Sequence, residues 1–442
     1  MHRPSARFGG LFCLLAAALP AAAQAADDDV TLNGITIYGT IDLGVAYQTH
    51  GTPLSNVFGP GLEYLLQKNS NKALFSLAPN GMSQSNIGVR GSEQLAPGFA
   101  AIFNVQTQFM PTSGMVADHL KAMTENNGVP LAAQSSNADS SRAGQIFQNA
   151  YVGITSDTYG TLTLGRQNSL VLDNVLTYDP LGGSQAFALI GFSGVTAGGG
   201  DTEDSRLDSV VKYKLKVGPV RLGLLGQFNG QYGNTASAEQ AGLGFDWQGL
   251  SIDGLYSFVK GAVAAAPLTT VPTGYSISNS LAGTISDNTA WSIMGKYRWG
   301  PVTAYGGYED MRYANPESPL AVGAITIGGY VLATVNNTAY TINKILDVTW
   351  GGIKYSVTPD LDLTGAIYHY WQNSYSGNGC SDASNSKCSG TENSISLVAD
   401  YTFNRHVDVY AGAMHTQVYN GLSNGFLNTS TIDPMIGMRV KF

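Results

Sequence analysis

The stretch 433–442 alternates strictly between apolar and polar side chains. Ile436, Met438, Val440 and Phe442 share one face, and Gly437, Arg439 and Lys441 share the other. A period of two with a single apolar face predicts a β-strand that lies between two unlike media. A soluble strand normally runs on into a turn, whereas this one stops at an aromatic residue. Its pairing with the first predicted strand, 34–48, would close a ring of strands.

The same alternation recurs along the chain and predicts about sixteen strands. In the first, Ile37, Ile41 and Leu43 face one way, while Thr36, Tyr38 and Asp42 face the other. Short turns alternate with long loops, which is the layout of a bacterial outer-membrane β-barrel. The predicted strands are 34–48, 84–93, 98–109, 142–155, 160–167, 206–217, 220–230, 237–247, 250–260, 288–299, 302–313, 344–357, 361–373, 391–403, 407–418 and 433–442.

A soluble β-sandwich would also show this alternation. The distribution of charge favours a barrel, because lysines and arginines, such as Lys212 and Lys214, occupy only the non-apolar face of the strands. Aromatic residues near the tight turns predict an interfacial girdle; these are Trp247, Trp299, Phe403 and Phe442. The chain is therefore predicted to be all-β, a transmembrane antiparallel barrel. A polar lumen at about sixteen strands is wide enough for an aqueous channel.

The composition agrees with this class. Only 12% of the 442 residues are charged, about half the share of a soluble domain. Glycine (54) and tyrosine (23) are abundant. After the first 25 residues, no segment offers the roughly 18 consecutive apolar residues of a membrane-spanning helix.

Residues 1–25 are typical of a secretory signal peptide. Arg3 and Arg7 precede a short apolar run, and Ala23-Gln24-Ala25 forms a cleavage site. We expect a single mature domain, 26–442, without Cys13. Loss of two arginines from 23 basic residues leaves 21 against 31 acidic ones, so the formal charge moves from −8 to −10. This acidic balance argues against a nucleic-acid partner.

Cys380 and Cys388 are the cysteines left after such cleavage, and they lie in a predicted outer loop, 374–390. An exported pair that closes a short loop is most simply a disulfide. Metal binding is the alternative, but no histidine is close in sequence and zinc sites usually have four ligands. We predict no metal and no cofactor.

Several motifs resemble the general diffusion porins of Gram-negative bacteria, particularly those of Burkholderia and Bordetella relatives. They are 37–45 (IYGTIDLGV), 85–93 (SNIGVRGSE), 150–154 (AYVGI), 160–167 (GTLTLGRQ) and the final aromatic Phe442. The resemblance spans essentially the whole mature chain. It implies an outer-membrane homotrimer of sixteen-stranded barrels for passive diffusion of small hydrophilic solutes and ions. It also implies contact with membrane lipid and lipopolysaccharide, and recognition of Phe442 by the barrel-assembly machinery.

The resemblance further implies that the third loop, 168–205, folds inward and constricts the pore, with 179–183 (DPLGG) at its tip. Loop acids would face basic wall residues across the opening. The candidate lumen residues are Arg206, Arg166, Arg90, Asp179, Asp173 and Asp42. Two positions expected to carry wall arginines carry Asn86 and Gln148 instead. With fewer wall arginines and further acids at 201–204, we expect a weak cation preference.

Three other functions would each require a distinct sequence feature. A substrate-specific channel, for sugars or carboxylates, would present a line of aromatic residues in the lumen. An outer-membrane hydrolase would need a nucleophile, a histidine and an orienting group, but no G-x-S-x-G elbow is present. An adhesin would need a passenger or repeated module, and the sequence shows neither. We therefore predict a channel that is not an enzyme.

Overall fold

The computed structural model describes residues 30–57, 72–135, 146–190, 206–228, 237–323, 326–327, 329–376, 380 and 385–442. The predicted signal segment, 1–25, falls outside them. The strands are β1 (Val30–Leu32), β2 (Ile35–Gly51), β3 (Lys72–Pro79), β4 (Asn86–Ala96), β5 (Phe99–Gln108), β6 (Phe147–Ser156), β7 (Gly160–Asn168), β8 (Arg206–Val217), β9 (Val220–Gln227), β10 (Ser237–Trp247), β11 (Leu250–Ala266), β12 (Ser280–Trp299), β13 (Val302–Ala314), β14 (Thr326–Ile327), β15 (Tyr330–Asn336), β16 (Lys344–Thr358), β17 (Leu361–Gln372), β18 (Gly390–Asn404), β19 (Val407–Asn420) and β20 (Ser430–Lys441). The helices are α1 (His119–Thr124) and α2 (Leu170–Tyr178), with 3₁₀ turns at Leu131–Ala133 and Gly421–Ser423. Among the described residues, no helix is both long and apolar enough to cross a membrane.

The strands close into one antiparallel barrel with sixteen positions. β20 pairs with β2 from Thr40 opposite Lys441 to Ala46 opposite Met435. Gly39 and Phe442 exchange two backbone hydrogen bonds, at 2.8 and 3.1 Å, which seal the end of this seam. The predicted pairing of the last strand with the first is confirmed.

One barrel position is shared by β3 and β4, which both pair with β2. Between them, residues 80–85 leave the sheet; we call them the wall insert. Asp42 of β2 supports the wall insert, because its carboxylate accepts the backbone N–H groups of Met82 and Ser83, both at 2.8 Å. The Tyr410 hydroxyl donates to the same carboxylate at 2.5 Å. β3 lies in a stretch predicted to be a polar loop, and the prediction missed it because Pro79 ends its short alternation.

The outward side chains of the strands are apolar and exposed. Leu397, Ile436 and Leu243 are exposed by 69%, 62% and 61%, values that an ordinary soluble core would not allow. The aromatic residues near the tight turns are also exposed; they are Trp247, Trp299, Phe403 and Phe442. This outer face suits lipid contact, with the polar residues of the same strands turned inward.

The strands extend furthest at the end with long loops. β11 continues to Ala266, beyond its predicted end at 260. β12 begins at Ser280, before its predicted start at 288. The sequence concealed this extension because residues 261–266 are mostly alanine and glycine, which show no apolar alternation. A bulge between Val259 and Ala262 marks where the extension begins.

A second apolar core lies at this end of the barrel. The loop between β5 and β6 carries α1 across the opening, and Leu120 and Met123 pack there with Leu281 and Leu332. The Asn127 side chain fixes the crossing, because its amide donates to the Ser280 carbonyl at 2.6 Å and accepts the Leu268 N–H at 2.7 Å. Since β5–β6 and β11–β12 lie on opposite sides of the ring, this loop spans the mouth.

The outer loop 374–390 contains the Cys380–Cys388 disulfide, with a Cα–Cα distance of 5.4 Å. Cys388 is fully buried. Its carbonyl accepts the Gln372 side-chain amide at 2.8 Å, which ties the bridge to the end of β17. Residues 377–379 and 381–384 of this loop fall outside the described part.

Candidate functional site: the lumen and its loop

Residues 169–190, which follow β7, cross the interior of the barrel; we call them the lumen loop. The Ser169 hydroxyl caps α2 by accepting the Leu172 N–H at 3.1 Å. The Leu170 N–H, also free at a helix start, is accepted by the Gln240 side chain of β10 at 2.8 Å. The helix is therefore held by the wall from its first turn. The predicted remainder of the loop, 191–205 with Asp201, Glu203 and Asp204, lies outside the described residues.

Tyr178, the last residue of α2, is fully buried and is the main anchor of the helix. Its hydroxyl donates to Asp253 of β11 and accepts a guanidinium N–H from Arg221 of β9 at 2.8 Å. Its carbonyl accepts the Trp350 indole N–H of β16 at 3.2 Å. One residue thus joins the loop to three strands.

Asp179 comes next and is 2% exposed. Its two carboxylate oxygens accept the Tyr368 hydroxyl of β17 and the Gly183 N–H, each at 2.7 Å. Gly182 and Gly183 both have positive φ, the backbone conformation in which glycine is favoured, and this lets the chain turn back to the carboxylate. Burial raises the pKa of Asp179 to about 6, although the Tyr368 hydrogen bond acts in the opposite direction. The acid predicted to face the pore is instead packed against the wall.

The second half of the lumen loop is tied to the wall by its backbone. The Gly81 carbonyl of the wall insert accepts both the Ser184 hydroxyl and the Ala186 N–H at 2.8 Å. The Phe187 carbonyl accepts the Ser396 hydroxyl of β18 at 2.6 Å. With the contacts of Tyr178, the loop thus reaches the wall at β9, β11, β16 and β18, and it separates two of the spaces in the interior.

The first space is a cavity of about 900 Å³ between α2, the tight turns and β8–β12; we call it the ion-paired side. Asp173 of α2 lies next to Lys212, at 2.8 Å, and Lys214 of β8. Burial alone would raise the pKa of Asp173, but the two ammonium groups outweigh it and hold the pKa below its usual value. Arg221 pairs with Asp246 and Asp253. Positive and negative side chains thus neutralise one another here.

The second space, of about 190 Å³, lies between the lumen loop and the wall formed by β2, β4 and β5; we call it the amide side. Its charged lining residue, the only one among the described residues, is Arg206 at the start of β8. The loop contributes the apolar side chains of Leu172, Val175 and Leu176. The polar lining residues are mostly amides and hydroxyls: Thr40, Ser83, Gln84, Asn86, Gln106, Gln108 and Gln185.

The other predicted lumen residues have different surroundings. Arg90 stacks over the Tyr38 ring, with 5.1 Å between the guanidinium carbon and the ring centroid. Arg166 is 8% exposed and pairs with Asp208, away from both spaces. Asp42 is fully buried and supports the wall insert. Of the six predicted residues, Arg206 lines the amide side and Asp173 the ion-paired side.

Sequence reasoning missed most of the amide side. Gln106 and Gln108 have the inward parity of a predicted strand, so alternation alone could have identified them. Gln84 and Gln185 lie in segments without regular alternation, and no pattern marks them. Lys296 of β12 was also missed; it lines the ion-paired side, and its ammonium donates to the Thr177 carbonyl at 3.2 Å.

Comparison with solved structures agrees with this architecture. An anion-selective porin from Comamonas acidovorans superposes with a TM-score of 0.59 and 16% identity, covering 92% of this chain and 99% of that one. A trimer form of OmpT from Vibrio cholerae gives 0.56 and 13% identity over 92% and 99% of the two chains. At this identity, the likeness concerns the fold alone.

Sequence comparison identifies the family. An outer membrane porin protein of Bordetella pertussis is 26% identical over 202 residues, which span 46% of this chain and less than half, 43%, of that relative. The model of the Gram-negative porin family matches residues 10–420. The match covers most of the chain, and the chain belongs to the Gram-negative porin family.

Proposed function

We propose that the protein is an outer-membrane channel for passive diffusion of small hydrophilic solutes and ions. The observation that carries the proposal is the opposite character of the two barrel faces. Exposed apolar side chains face outward, while the interior holds ionised and amide side chains around open space. A closed ring of sixteen strands with a polar interior holds water. The proposal includes no cofactor and no catalytic step.

We infer that the lumen loop sets the narrowest part of the path. The argument rests on its attachment to β11, β16, β17 and β18 and to the wall insert. Such a loop cannot move aside without breaking several hydrogen bonds. The smaller, amide side is the proposed constriction, and Arg206 is the proposed charged residue at that point.

Charge selectivity follows from which loop charges remain available. Asp173 is held by two lysines, and Asp179 is buried against Tyr368. Neither presents an open carboxylate to the amide side, where Arg206 supplies the charge. We therefore propose a weak anion preference, the opposite sign from the sequence-based expectation. The Comamonas relative described as anion-selective is consistent with it.

The test is single-channel conductance in a planar bilayer, with the reversal potential measured under a salt gradient. We expect discrete current steps and a potential that indicates anion preference. Replacement Arg206→Gln is expected to lower the anion-to-cation permeability ratio by about fivefold to thirtyfold, because one charge near 4 Å attracts an anion and repels a cation by up to roughly 1 kcal/mol each in water. Arg405→Gln, at an exposed tight turn, is the matched control. Absence of steps would overturn the channel, and an unchanged ratio would remove Arg206 from the constriction.

We propose a homotrimer as the assembled form, by analogy with the trimer form of the Vibrio protein. Lipid and lipopolysaccharide would contact the outer apolar face, and the barrel-assembly machinery would read Phe442, which lies at the seam between β20 and β2. Three equal conductance steps for each insertion, and a trimer band lost on heating in a semi-native gel, are the expected results. A monomer in mild detergent before heating contradicts the trimer.

A further inference from the structure

Several buried polar side-chain atoms without a hydrogen-bond partner belong to residues that gather around the amide side. Within the described part of the chain, five such atoms make no hydrogen bond. They are Nε2 and Oε1 of Gln84, Oε1 of Gln108, Oε1 of Gln185 and the Ser83 hydroxyl oxygen. Gln108 and Gln185 are 2% and 6% exposed. All four residues line the same 190 Å³ space. Buried polar atoms normally have partners, so this convergence points to a polar occupant.

The two segments that carry these side chains are held in place by hydrogen bonds to their backbone. Asp42 fixes the backbone of Ser83, and the Asn86 side chain donates to the Gln84 carbonyl at 2.8 Å. On the other side, the two hydrogen bonds from Ser184 and Ala186 to Gly81 fix the chain on either side of Gln185. The backbone that carries these amides is therefore preorganised, which lowers part of the entropic cost of binding.

Apart from Arg206, the lining favours an uncharged solute over an ion. An amide offers one acceptor and one donor group, and hydroxyl groups of a solute can satisfy both. No carboxylate lines this space among the described residues, and Arg206 has interactions of its own. Leu172, Val175 and Leu176 supply an apolar surface for the C–H groups of the same solute. A cation would exchange its hydration shell for uncharged partners and gain little.

We propose that the amide side is a transit-binding site for small uncharged polyhydroxylated solutes, such as pentoses and polyols. This inference rests on the proposed channel function and names its solute class. A preorganised site of this kind makes such a solute dwell at the constriction, whereas salt passes through without binding there.

The first test is current block of the wild-type channel by L-arabinose in potassium chloride. We expect brief interruptions whose frequency rises and then saturates with arabinose concentration. A purely linear effect of arabinose on the current, without saturation, would overturn the inference while leaving the channel intact. Absence of any conductance would overturn the channel function itself, so the two failures are distinguishable.

The second test uses Gln84→Met, Gln108→Met and Gln185→Met, measured singly so that one failed fold leaves the others informative. These changes conserve length and remove the amide. We expect arabinose block and arabinose-driven liposome swelling to fall by roughly threefold or more, consistent with loss of one net hydrogen bond. Potassium chloride conductance should change far less. Gln417→Met, on the outward parity of β19, is the matched control. Equal losses for arabinose and salt would indicate simple narrowing and overturn the site.

Discussion

The two spaces that the lumen loop separates differ in charge more than in polarity. On the ion-paired side, lysine, arginine and aspartate side chains lie within contact distance of one another. On the amide side, one arginine is surrounded by amides, hydroxyls and three apolar side chains of α2. The single helix α2 therefore borders two unlike environments.

The difference shows that the number of charges in a pore is a poor guide to selectivity. The ion-paired side has many charged groups, but their pairing cancels the field that a passing ion meets. The amide side has few charged groups, and Arg206 is the charged side chain of its described lining. Selectivity should therefore respond most strongly to changes on the side with fewer charges.

The largest expected effect comes from adding a charge to the amide side. Asn86→Arg would place a second guanidinium beside Arg206 in the same 190 Å³ space. We expect the anion-to-cation permeability ratio to rise roughly fivefold or more, since one additional charge near 4 Å contributes about 1 kcal/mol even in water. Reversal potentials under a salt gradient measure the ratio. Asn86→Met adds similar bulk without charge, and an equal change in that control would contradict the electrostatic account.

A smaller change in the permeability ratio is expected from removing one carboxylate on the ion-paired side. Asp173→Asn removes the carboxylate that Lys212 and Lys214 share. The ratio should rise only about twofold, because Lys214 is 48% exposed and its charge is screened by water and salt. The double variant Asp173→Asn with Lys214→Gln restores the wild-type net charge. We expect the double variant to restore the wild-type permeability ratio. If it does not, the ion pair affects selectivity by positioning the lumen loop and not by its charge.

The barrel could be predicted from sequence because its cause is local. Membrane and lumen impose a two-residue period on every strand, and residues such as Ile436 and Arg439 carry it in the chain itself. The pairing of the last strand with the first followed from the same reasoning. Strand ends were less predictable where small residues hide the period, as at 261–266, or where a proline shortens it, as at Pro79.

The lumen could be predicted only in part because its causes are distant in sequence. Asp179 was rightly placed on the loop, but its orientation depends on Tyr368, which is 189 positions away. The pairing of Arg166 with Asp208 depends on irregular pairing of β7 with β8 after Gly165. The amide side brings together residues from 40 to 206, and no single segment contains enough of them to form a motif.

The smallest expected effect on permeation concerns Asp179, whose hydrogen bonds to Tyr368 and Gly183 hold the lumen loop against β17. Burial raises the pKa of this group from 3.8 to about 6 in the folded protein. The folded state therefore holds the proton more tightly than the unfolded chain. This contribution to stability is complete below about pH 4 and is lost as pH rises through 6. A pKa difference of about two units between the folded and unfolded states corresponds to about 3 kcal/mol of stability at most.

Asp179→Asn removes this titration and keeps an oxygen that accepts the Tyr368 hydroxyl. We expect hydrogen exchange of residues 169–190, corrected for intrinsic rates, to accelerate between pH 5 and 7.5 in the wild type. In Asp179→Asn, hydrogen exchange of these residues should change much less with pH. The control Asp157→Asn, at an exposed turn, should behave as the wild type. If the wild-type loop is equally protected at both pH values, the carboxylate stays ionised throughout. Its hydrogen bonds to Tyr368 and Gly183 would then outweigh burial, and the boundary between the two sides would be insensitive to pH.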